Sequence, residues 1–395
     1  MDDSTANHLI DWVLAFATAN DDLDALLTGL SEKLLEAGFP LQRASISLPT
    51  IDPSARAVAY IWWRDRGVAT ERVPHGRRQL ENLHRSVVFD LQMRKSTMAR
   101  YRLADGEGVD RFDLLREMKE RGSTDYLLRL VPFGTGQMVL QGVALSVATD
   151  REGGFSDEEC AFIHRIVPAL ALAAYRISVG RIAVDALSVY LGPQTGRRVL
   201  AGEIRRGEGE RIAAAILNAD LKGFTAMTER EDALEVVGWL NEHFEVIGDA
   251  VMSRGGEILK FMGDGLLAVF PVSEPDARPC RICGEALEAA EEALAANAAL
   301  NRRRSATGGP RLDADVVLHY GEVVYGNVGA TRRLDFTVIG RAVNEASRME
   351  ALCDPLGVNL IASRAFAERC ARPMIELGSF SLRGIAGERA IYRPC

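Results

Sequence analysis

The chain has 395 residues, of which 47% are hydrophobic and 26% charged, and its formal net charge is −8. This is the composition of a globular protein, and the length predicts two or three domains. The acidic balance argues against a nucleic-acid binder that works through a general basic face. No apolar run approaches the ~20 residues of a membrane helix, and the acidic N-terminus does not resemble a signal peptide. We therefore expect a soluble cytoplasmic protein that binds neither nucleic acid nor a membrane.

Helical and strand-like patterns alternate over residues 1–175. Residues 8–37 carry leucine, isoleucine and alanine at helical spacing, whereas residues 43–48 and 57–64 alternate apolar and polar side chains as half-buried strands do. The capping-box sequence Ser-Asp-Glu-Glu at 156–159 predicts the start of a long apolar helix. Strands flanked by helices and followed by a long exit helix resemble a GAF-type sensory domain; the alternative is another α+β domain of this size. The resemblance implies a regulatory domain that binds a small-molecule effector.

A second α+β domain is predicted for residues 210–395, joined to the first by a helical connector at 176–209. Its pattern is strand, helix, hairpin, helix, strand, which is the order of a ferredoxin-like or palm fold. The predicted elements are a strand at 213–219, a helix at 231–253, strands at 257–262 and 266–270, a helix at 277–304, a strand at 312–320 and a helix at 342–352. The fold class predicted for the whole chain is therefore α+β.

Two aspartates, each at the edge of an apolar run, indicate the chemistry of this second domain. Asp220 lies in Asn-Ala-Asp-Leu-Lys-Gly-Phe-Thr at 218–225, and Asp264 lies in a tight Gly-Asp-Gly turn between two apolar strands. A strand end and a neighbouring hairpin of one sheet can hold two carboxylates on the same side. Mg²⁺ is bound by one or two carboxylates together with substrate phosphates, so the pair indicates a two-metal site for phosphoryl chemistry. The alternative is a helix N-cap at Asp220 and a turn residue at Asp264.

Four motifs within residues 210–394 together resemble the class III nucleotidyl cyclase catalytic domain. They are Asn-Ala-Asp-Leu-Lys-Gly-Phe-Thr at 218–225, Leu-Lys-Phe-Met-Gly-Asp-Gly at 259–265, His-Tyr-Gly-Glu-Val-Val-Tyr-Gly-Asn-Val-Gly at 319–329 and Phe-Thr-Val-Ile-Gly-Arg-Ala-Val-Asn-Glu-Ala-Ser-Arg at 336–348. Four motifs in this order and at this spacing make a chance match improbable.

The resemblance implies the metal and phosphate ligands. Asp220 and Asp264 match the two metal-binding aspartates, and the backbone carbonyl of Leu221 is expected to contact the second of two Mg²⁺ (or Mn²⁺) ions. Backbone N–H groups after Asp220 could cradle phosphates, which places Phe224 and Thr225 among the substrate-binding residues.

The resemblance also implies a base pocket. Lys260 matches the base-recognising lysine, and Thr337 matches its polar partner, as in the threonine-type adenylyl cyclase subgroup. Asp335 lies two residues off that register, so the role falls to Thr337. A lysine ammonium can donate to adenine N1 but not to guanine N1–H, and a threonine hydroxyl can accept from the adenine amino group. The pair therefore favours ATP.

Three further residues match the family's ribose and phosphate contacts. Asn344 corresponds to the asparagine that orients the ribose, and Arg348 to the arginine that stabilises the transition state. They are four residues apart and so share one face of a helix, and arginine offers a planar donor fork to the α-phosphate. Arg383, in Phe-Ser-Leu-Arg-Gly-Ile at 380–385, is the candidate for binding the terminal phosphates, where many members have lysine.

The implied activity is that of an adenylyl cyclase, which converts ATP into 3′,5′-cyclic AMP and pyrophosphate. Family sites form at a dimer interface, and this chain carries the residues of both halves, which predicts a head-to-tail homodimer with two shared sites. The N-terminal domain is expected to regulate by changing how the catalytic domains pack. The alternatives are a guanylyl cyclase, which Lys260 disfavours, a catalytically silent nucleotide-binding homologue, and a diguanylate cyclase, whose Gly-Gly-Asp/Glu-Glu-Phe turn the sequence lacks.

Overall fold

The structure is a computed structural model that describes residues 2–52, 55–75, 85–134, 140–272 and 278–395. The chain divides into two compact units, Met1–Ala186 and Leu187–Cys395. Both units combine helices with one β-sheet, so the α+β class predicted from the sequence is confirmed.

The N-terminal unit is built on a six-stranded sheet. Its strands are β1 (Arg43–Pro49), β2 (Ala55–Trp63), β3 (Gly67–Pro74), β4 (Met98–Arg102), β5 (Asp125–Pro132) and β6 (Gly142–Thr149). They are ordered β3-β2-β1-β6-β5-β4, and every neighbouring pair is antiparallel. The strands predicted at 43–48 and 57–64 are confirmed as β1 and β2.

Helices cover both faces of this sheet. They are α1 (Asp3–Ala19), α2 (Leu23–Glu36), α3 (Val87–Met93), α4 (Asp113–Glu120) and α5 (Asp157–Leu191). Helices α1, α2 and α5 pack on the face that carries Ile46 and Leu127, whereas α3 and α4 pack on the opposite face against Tyr126 and Leu128. Successive residues of β5 thus enter two different cores, as strand geometry requires. The likeness of this unit to a GAF domain stays a prediction.

The helical segment predicted at 8–37 is divided into α1 and α2. Asp22 caps α2, because its Oδ1 accepts hydrogen bonds from the backbone N–H groups of Asp24 (2.9 Å) and Ala25 (3.1 Å). An N-cap residue has extended backbone dihedrals and interrupts a continuous helix. The apolar spacing continues through the interruption, so the pattern alone did not show it.

Helix α5 begins at the predicted capping box. Ser156 Oγ accepts from the Glu159 N–H (3.2 Å), and Glu159 Oε2 accepts from the Ser156 N–H (2.7 Å). By length and composition alone this helix could cross a membrane, contrary to the sequence-based expectation, but half of its apolar stretch is buried inside the protein. Its buried residues, among them Phe162, Ile166 and Leu170, belong to the core of the N-terminal unit. Core helices meet the same length and composition test.

The C-terminal unit contains eight strands in one sheet. They are β7 (Gly209–Leu221), β8 (Glu257–Met262), β9 (Gly265–Pro271), β10 (Ala314–Ala330), β11 (Arg333–Ile339), β12 (Leu360–Ser363), β13 (Met374–Ser381) and β14 (Glu388–Pro394). Their order is β13-β14-β12-β10-β7-β9-β8, with β11 paired to β10. The β10–β12 pair is parallel and the other pairs are antiparallel.

The helices of this unit are α6 (Pro193–Leu200), α7 (Phe224–Thr228), α8 (Ala233–Ser253), α9 (Pro279–Ala306), α10 (Arg341–Met349), α11 (Cys353–Leu356) and α12 (Arg364–Ala367), with a 3₁₀ turn at Glu350–Leu352. The predicted order of strand, helix, hairpin, helix, strand is found in β7, α8, β8–β9, α9 and β10. The first residue of the predicted helix at 277–304 lies outside the described residues. Side chains of α8 and α9 pack with those of β7, β9 and β10 in the main core of the unit.

Candidate functional site

Asp220 and Asp264 lie at the same edge of the C-terminal sheet. Asp220 is the last but one residue of β7, and Asp264 occupies the turn between β8 and β9. Strands β7 and β9 are antiparallel neighbours with Ala219 opposite Leu266, so the beginning of β9 lies beside the end of β7. A Cβ atom on Gly265 would lie 3.1 Å from Asp220 Oδ1, so glycine lets the turn approach the carboxylate closely. The structure thus brings the two predicted metal ligands together.

The surroundings of both carboxylates disfavour their charged forms. Burial raises the pKa of Asp220 to about 7, and the negative charges of Glu350 and Asp264 act in the same direction. Burial also raises the pKa of Asp264. Negative charges that lie close together in a partly desolvated site repel one another, and a bound cation would reduce this repulsion. A divalent cation would relieve this arrangement, which is an electrostatic reason for a metal to bind here.

Two other carboxylates beside Asp220 were not predicted from the sequence. Glu350 begins the 3₁₀ turn after α10, and its negative charge is one of the causes that raise the pKa of Asp220. Asp315 lies opposite Asp220 across the β7–β10 pair. Lys222 neutralises Asp315, because its Nζ lies 2.9 Å from Asp315 Oδ1 and 2.7 Å from Asp354 Oδ1. No spacing in the sequence marks either acid as a neighbour of Asp220.

The donor set fits ions that take part of their coordination from substrate. Among the described residues, no group of three or more histidine, cysteine or acidic side chains could hold a metal ion by itself. Mg²⁺ does not need such a cage, because it binds one or two carboxylates and keeps water or phosphate oxygens as its other ligands. Leu221 ends β7 with a buried side chain packed against Leu300 and Leu312, which holds its backbone beside Asp220.

Phe224 and Thr225 open the short helix α7, immediately after β7. Gly223, with φ of +70°, turns the chain from the strand into the helix, and glycine takes this left-handed conformation without steric cost. Phe224 is half-buried against Leu221 and its neighbours, whereas Thr225 is exposed. The first N–H groups of a helix have no intrahelical acceptor. The position next to Asp220 is therefore compatible with the predicted contact to phosphate.

The predicted base-recognising lysine forms an ion pair. Lys260 lies in β8, four residues before Asp264, and its Nζ is 2.6 Å from Asp335 Oδ2. Thr337, the partner expected from the family register, lies two residues further along β11 and is 6% exposed. The intervening Phe336 is buried with the core residues of the unit. The structure therefore pairs Lys260 with Asp335, two residues before the position expected from the family register.

Asn344 and Arg348 share the outward face of α10. Both are exposed, while Ala342, Ala346 and Met349 of the same helix are buried. The spacing of four residues thus produces the common face expected from helix geometry. Both side chains are therefore accessible to a ligand.

Arg383 lies apart from the metal aspartates along the sheet. It is exposed in the connection between β13 and β14. These strands are at the opposite end of the strand order from β9 and β8, which flank Asp264. The structure of one chain therefore does not gather the predicted phosphate ligand Arg383 with the predicted metal ligands.

Comparison with known families agrees with the motifs of the C-terminal unit. Residues 210–389 match the family model described as the adenylate and guanylate cyclase catalytic domain. The C-terminal unit therefore contains a class III adenylyl/guanylyl cyclase catalytic domain. The match does not extend into the N-terminal unit.

Curated relatives are similar to about half of the chain. The chain is 37% identical over 172 residues to a protein named adenylate cyclase from Anabaena cylindrica. This alignment covers 42% of the chain and 32% of that relative. The chain is also 29% identical over 216 residues to adenylate cyclase 1 of Rhizobium meliloti (strain 1021). This alignment covers 54% of the chain and 32% of the relative. The chain thus spans about a third of the length of these relatives.

Solved cyclase structures also align with about half of the chain. The guanylyl cyclase Cya2 is 28% identical, with a TM-score of 0.42, and the alignment covers 47% of this chain and 92% of that one. The adenylyl cyclase CyaB from P. aeruginosa is 23% identical, with a TM-score of 0.44, and the alignment covers 48% of this chain and 96% of that one. Scores at this level do not decide which base the domain selects.

Proposed function

We propose that the C-terminal domain is an adenylyl cyclase that converts ATP into 3′,5′-cyclic AMP and pyrophosphate. The observation that carries the proposal is the pair Asp220 and Asp264 at one sheet edge, within a segment that matches the cyclase family. The names of two curated relatives, both adenylate cyclases, support ATP as the substrate.

The metal ligands in this proposal are the carboxylates of Asp220 and Asp264 and the backbone carbonyl of Leu221. They would hold two Mg²⁺ or Mn²⁺ ions per active site. When bound, such ions would lower the pKa of the ribose 3′-hydroxyl and would place positive charge beside the leaving pyrophosphate. The raised pKa values of both aspartates, which follow from burial and nearby acids, are consistent with a place that needs cationic charge.

The phosphate and ribose contacts fall to residues with outward-facing donors. Arg348 donates to the α-phosphate as negative charge develops in the transition state, and Asn344 orients the ribose. Arg383 and the backbone N–H groups of Phe224 and Thr225 bind phosphate oxygens. Because Arg383 is distant along the sheet from Asp264, the proposal includes a head-to-tail homodimer in which each site draws on two chains.

Base selection in this proposal uses Lys260 and Thr337. Lys260 donates to adenine N1 and Thr337 accepts from the adenine amino group. One observation favours guanylyl cyclase activity as a second candidate. The carboxylate of Asp335 lies beside Lys260, and a carboxylate can accept from guanine N1–H, which an ammonium cannot do.

The N-terminal unit is proposed to regulate the catalytic domain in response to a small-molecule effector. Its α+β layering supports a ligand-binding role of the GAF type, and helix α5 continues from this unit into the residues that precede the catalytic domain. A cytoplasmic location, without nucleic acid or membrane as a partner, completes the proposal.

A variant of one aspartate tests the proposed function. Asp264→Asn in the full-length protein should lower cyclic AMP formation by about 100-fold or more, because the charge stabilisation supplied by bound metal amounts to several kcal/mol. Asp249→Asn, which changes an exposed acid of α8, is the matched control and should retain the wild-type rate. Equal rates in the two variants would contradict the assignment of Asp264.

A further inference from the structure

Helix α10 packs closely on strand β10. A Cβ atom on Gly321 of β10 would lie 2.6 Å from the Cβ of Ala342 on α10, so glycine at this position lets the helix approach the strand. Asn344 and Arg348 are exposed on the other face of the same helix. Their positions therefore depend on how α10 is held against the sheet.

Arg389, the second residue of β14, contacts both α10 and the connection between β13 and β14, residues 382–387. Its Nε donates to Glu345 Oε1 of α10 at 3.0 Å. Its Nη1 donates to the backbone carbonyls of Ala386 (3.2 Å) and Glu388 (3.1 Å). The side chains of Glu345 and Arg389 are 13% and 23% exposed, so water and salt screen this ion pair less than one at the surface.

An apolar core joins the same two parts of the unit. Met349, next to Arg348 on α10, and Leu382, next to Arg383 in the connection, belong to one cluster of buried residues. They are 0% and 4% exposed. The helix and the connection are thus joined by a shared core and by the Arg389 guanidinium.

We propose that Arg389 is a positioning residue that holds α10 and the β13–β14 connection together, so that Arg348 and Arg383 keep a fixed arrangement. The guanidinium fixes the helix through Glu345 and the connection through two carbonyls. Arginine suits this role because its planar group presents five donors in a rigid geometry. The inference rests on the proposed function, in which Arg348 and Arg383 bind the phosphates of the nucleotide.

The two sets of contacts lead to two separable effects. The contact with Glu345 positions Arg348, which acts on the α-phosphate in the transition state, so its loss should lower kcat more than it weakens binding. The contacts with the carbonyls position Arg383, which binds the terminal phosphates. Their loss should weaken the binding of pyrophosphate.

The test determines kcat and KM for ATP, and the dissociation constant of pyrophosphate with Mg²⁺, in the full-length protein. Glu345→Ala should lower kcat by about tenfold or more, because a small misplacement of a transition-state donor has a large effect on the rate. Its dissociation constant for pyrophosphate should stay close to that of the wild type. Arg389→Met should lower kcat by a similar factor and raise the dissociation constant of pyrophosphate by about tenfold, because hydrogen bonds from a charged group are lost.

A conservative variant and a double variant refine the comparison. Arg389→Lys keeps a cation beside Glu345 but lacks the planar fork, so it should retain more of kcat than Arg389→Met and still weaken pyrophosphate binding. It also provides the comparison if Arg389→Met does not fold. In a Glu345→Ala background, Arg389→Met should lower kcat no further, because both residues act on the helix through one contact.

The control for a general loss of structure is Arg372→Met. Arg372 is another arginine of the same unit that forms an ion pair with an acid, Glu291. Its substitution should change neither kcat nor pyrophosphate binding. Urea unfolding of every variant shows whether a loss of stability accompanies the kinetic change.

The outcomes distinguish this inference from the proposed function. An unchanged kcat in Glu345→Ala, an unchanged pyrophosphate affinity in Arg389→Met, or equal changes of both quantities in Glu345→Ala would overturn the role of Arg389. A wild type that binds ATP and pyrophosphate but makes no cyclic product would overturn the cyclase activity, while the dissociation constants of pyrophosphate would still decide the role of Arg389. A wild type that binds neither would overturn both.

Discussion

His243 is a fully buried histidine of the C-terminal unit. It lies in α8 with 0% exposure, and neither ring nitrogen has a partner among the described residues. Its ring is 5.5 Å from that of Phe244. Burial lowers the pKa of His243 to about 4. The imidazole of His243 is therefore neutral in the folded protein at physiological pH.

The depressed pKa of His243 predicts sensitivity to acid. The unfolded chain takes up the proton from about pH 6.5 downward, whereas the folded chain does so only near pH 4. The free energy of unfolding should therefore fall as the pH decreases through this window, by up to about 3 kcal/mol from this residue. His243→Leu should reduce that loss, as measured by urea unfolding at pH 7 and pH 5.

The control for this prediction is His8→Leu, because His8 is exposed on α1. It should leave the difference in unfolding midpoint between the two pH values as it is in the wild type. If His243→Leu behaves like His8→Leu, the neutral state of His243 does not contribute to the acid sensitivity.

The sequence predicted single residues well where a motif fixes their place. Asp220 and Asp264 were predicted at one edge because a strand end and a glycine-flanked turn are local features. The partners of those residues were not predicted, because they come from elsewhere in the chain. Glu350 reaches Asp220 through the turn after α10, and Asp335 reaches Lys260 across strands that do not pair.

A buried polar network fixes helix α6 to the strands of its own unit. Glu257, the first residue of β8, is 2% exposed and accepts from the Thr195 N–H (2.9 Å), the Thr195 hydroxyl (3.0 Å) and the Tyr325 hydroxyl (2.6 Å). Burial and the hydrogen bond to Glu257 raise the pKa of Tyr325. Arg198 of α6 lies over the Tyr325 ring, 5.0 Å from its centroid. A buried carboxylate is tolerated here because donors surround it.

Tyr325→Phe should destabilise the C-terminal unit. The substitution removes the hydroxyl donor and leaves the buried Glu257 side chain with fewer hydrogen-bond partners, which should cost about 2 kcal/mol in the free energy of unfolding. Urea unfolding of the full-length variant measures the change. Tyr392→Phe is the control, since the Tyr392 hydroxyl donates to Glu376 at an exposed position, and it should have a much smaller effect. Equal losses in the two variants would contradict the importance of burial.

At the scale of elements, the periodic and glycine-bounded segments were predictable and the long strand was not. The hairpin formed by β8 and β9 matches its prediction at 257–262 and 266–270 within a residue. Strand β10 was predicted to end at 320 but continues to Ala330. Residues 324–330 pair with β11 in a hairpin. This pairing keeps the segment in a strand, although the glycines that it contains disfavour strand structure.

At the scale of the whole molecule, the proposal of a homodimer with shared sites leads to a quantitative prediction. Asp220→Ala and Arg348→Ala should each abolish activity, yet a mixed dimer would contain one site with both residues intact. Random assembly of equal amounts should therefore restore about a quarter of the wild-type rate. The measurement is cyclic nucleotide formation by differently tagged, co-expressed chains.

The control for complementation is a mixture of Asp220→Ala with Asp264→Ala. Both changes affect the same half of the site, so a mixed dimer has no intact site and should stay inactive. Recovery in this control, or no recovery in the first mixture although tagged chains co-purify, would contradict sites shared between chains.

The most direct test of the central claim is the product that the purified full-length protein makes from ATP and from GTP. The measurement quantifies cyclic AMP and cyclic GMP with Mg²⁺, with Mn²⁺ and with EDTA. We expect cyclic AMP in the presence of either ion and none with EDTA, because the proposed reaction needs metal ions at Asp220 and Asp264 to activate the 3′-hydroxyl and to neutralise the leaving pyrophosphate. Absence of any cyclic product from a folded protein that binds the nucleotide would contradict the assignment as an adenylyl cyclase.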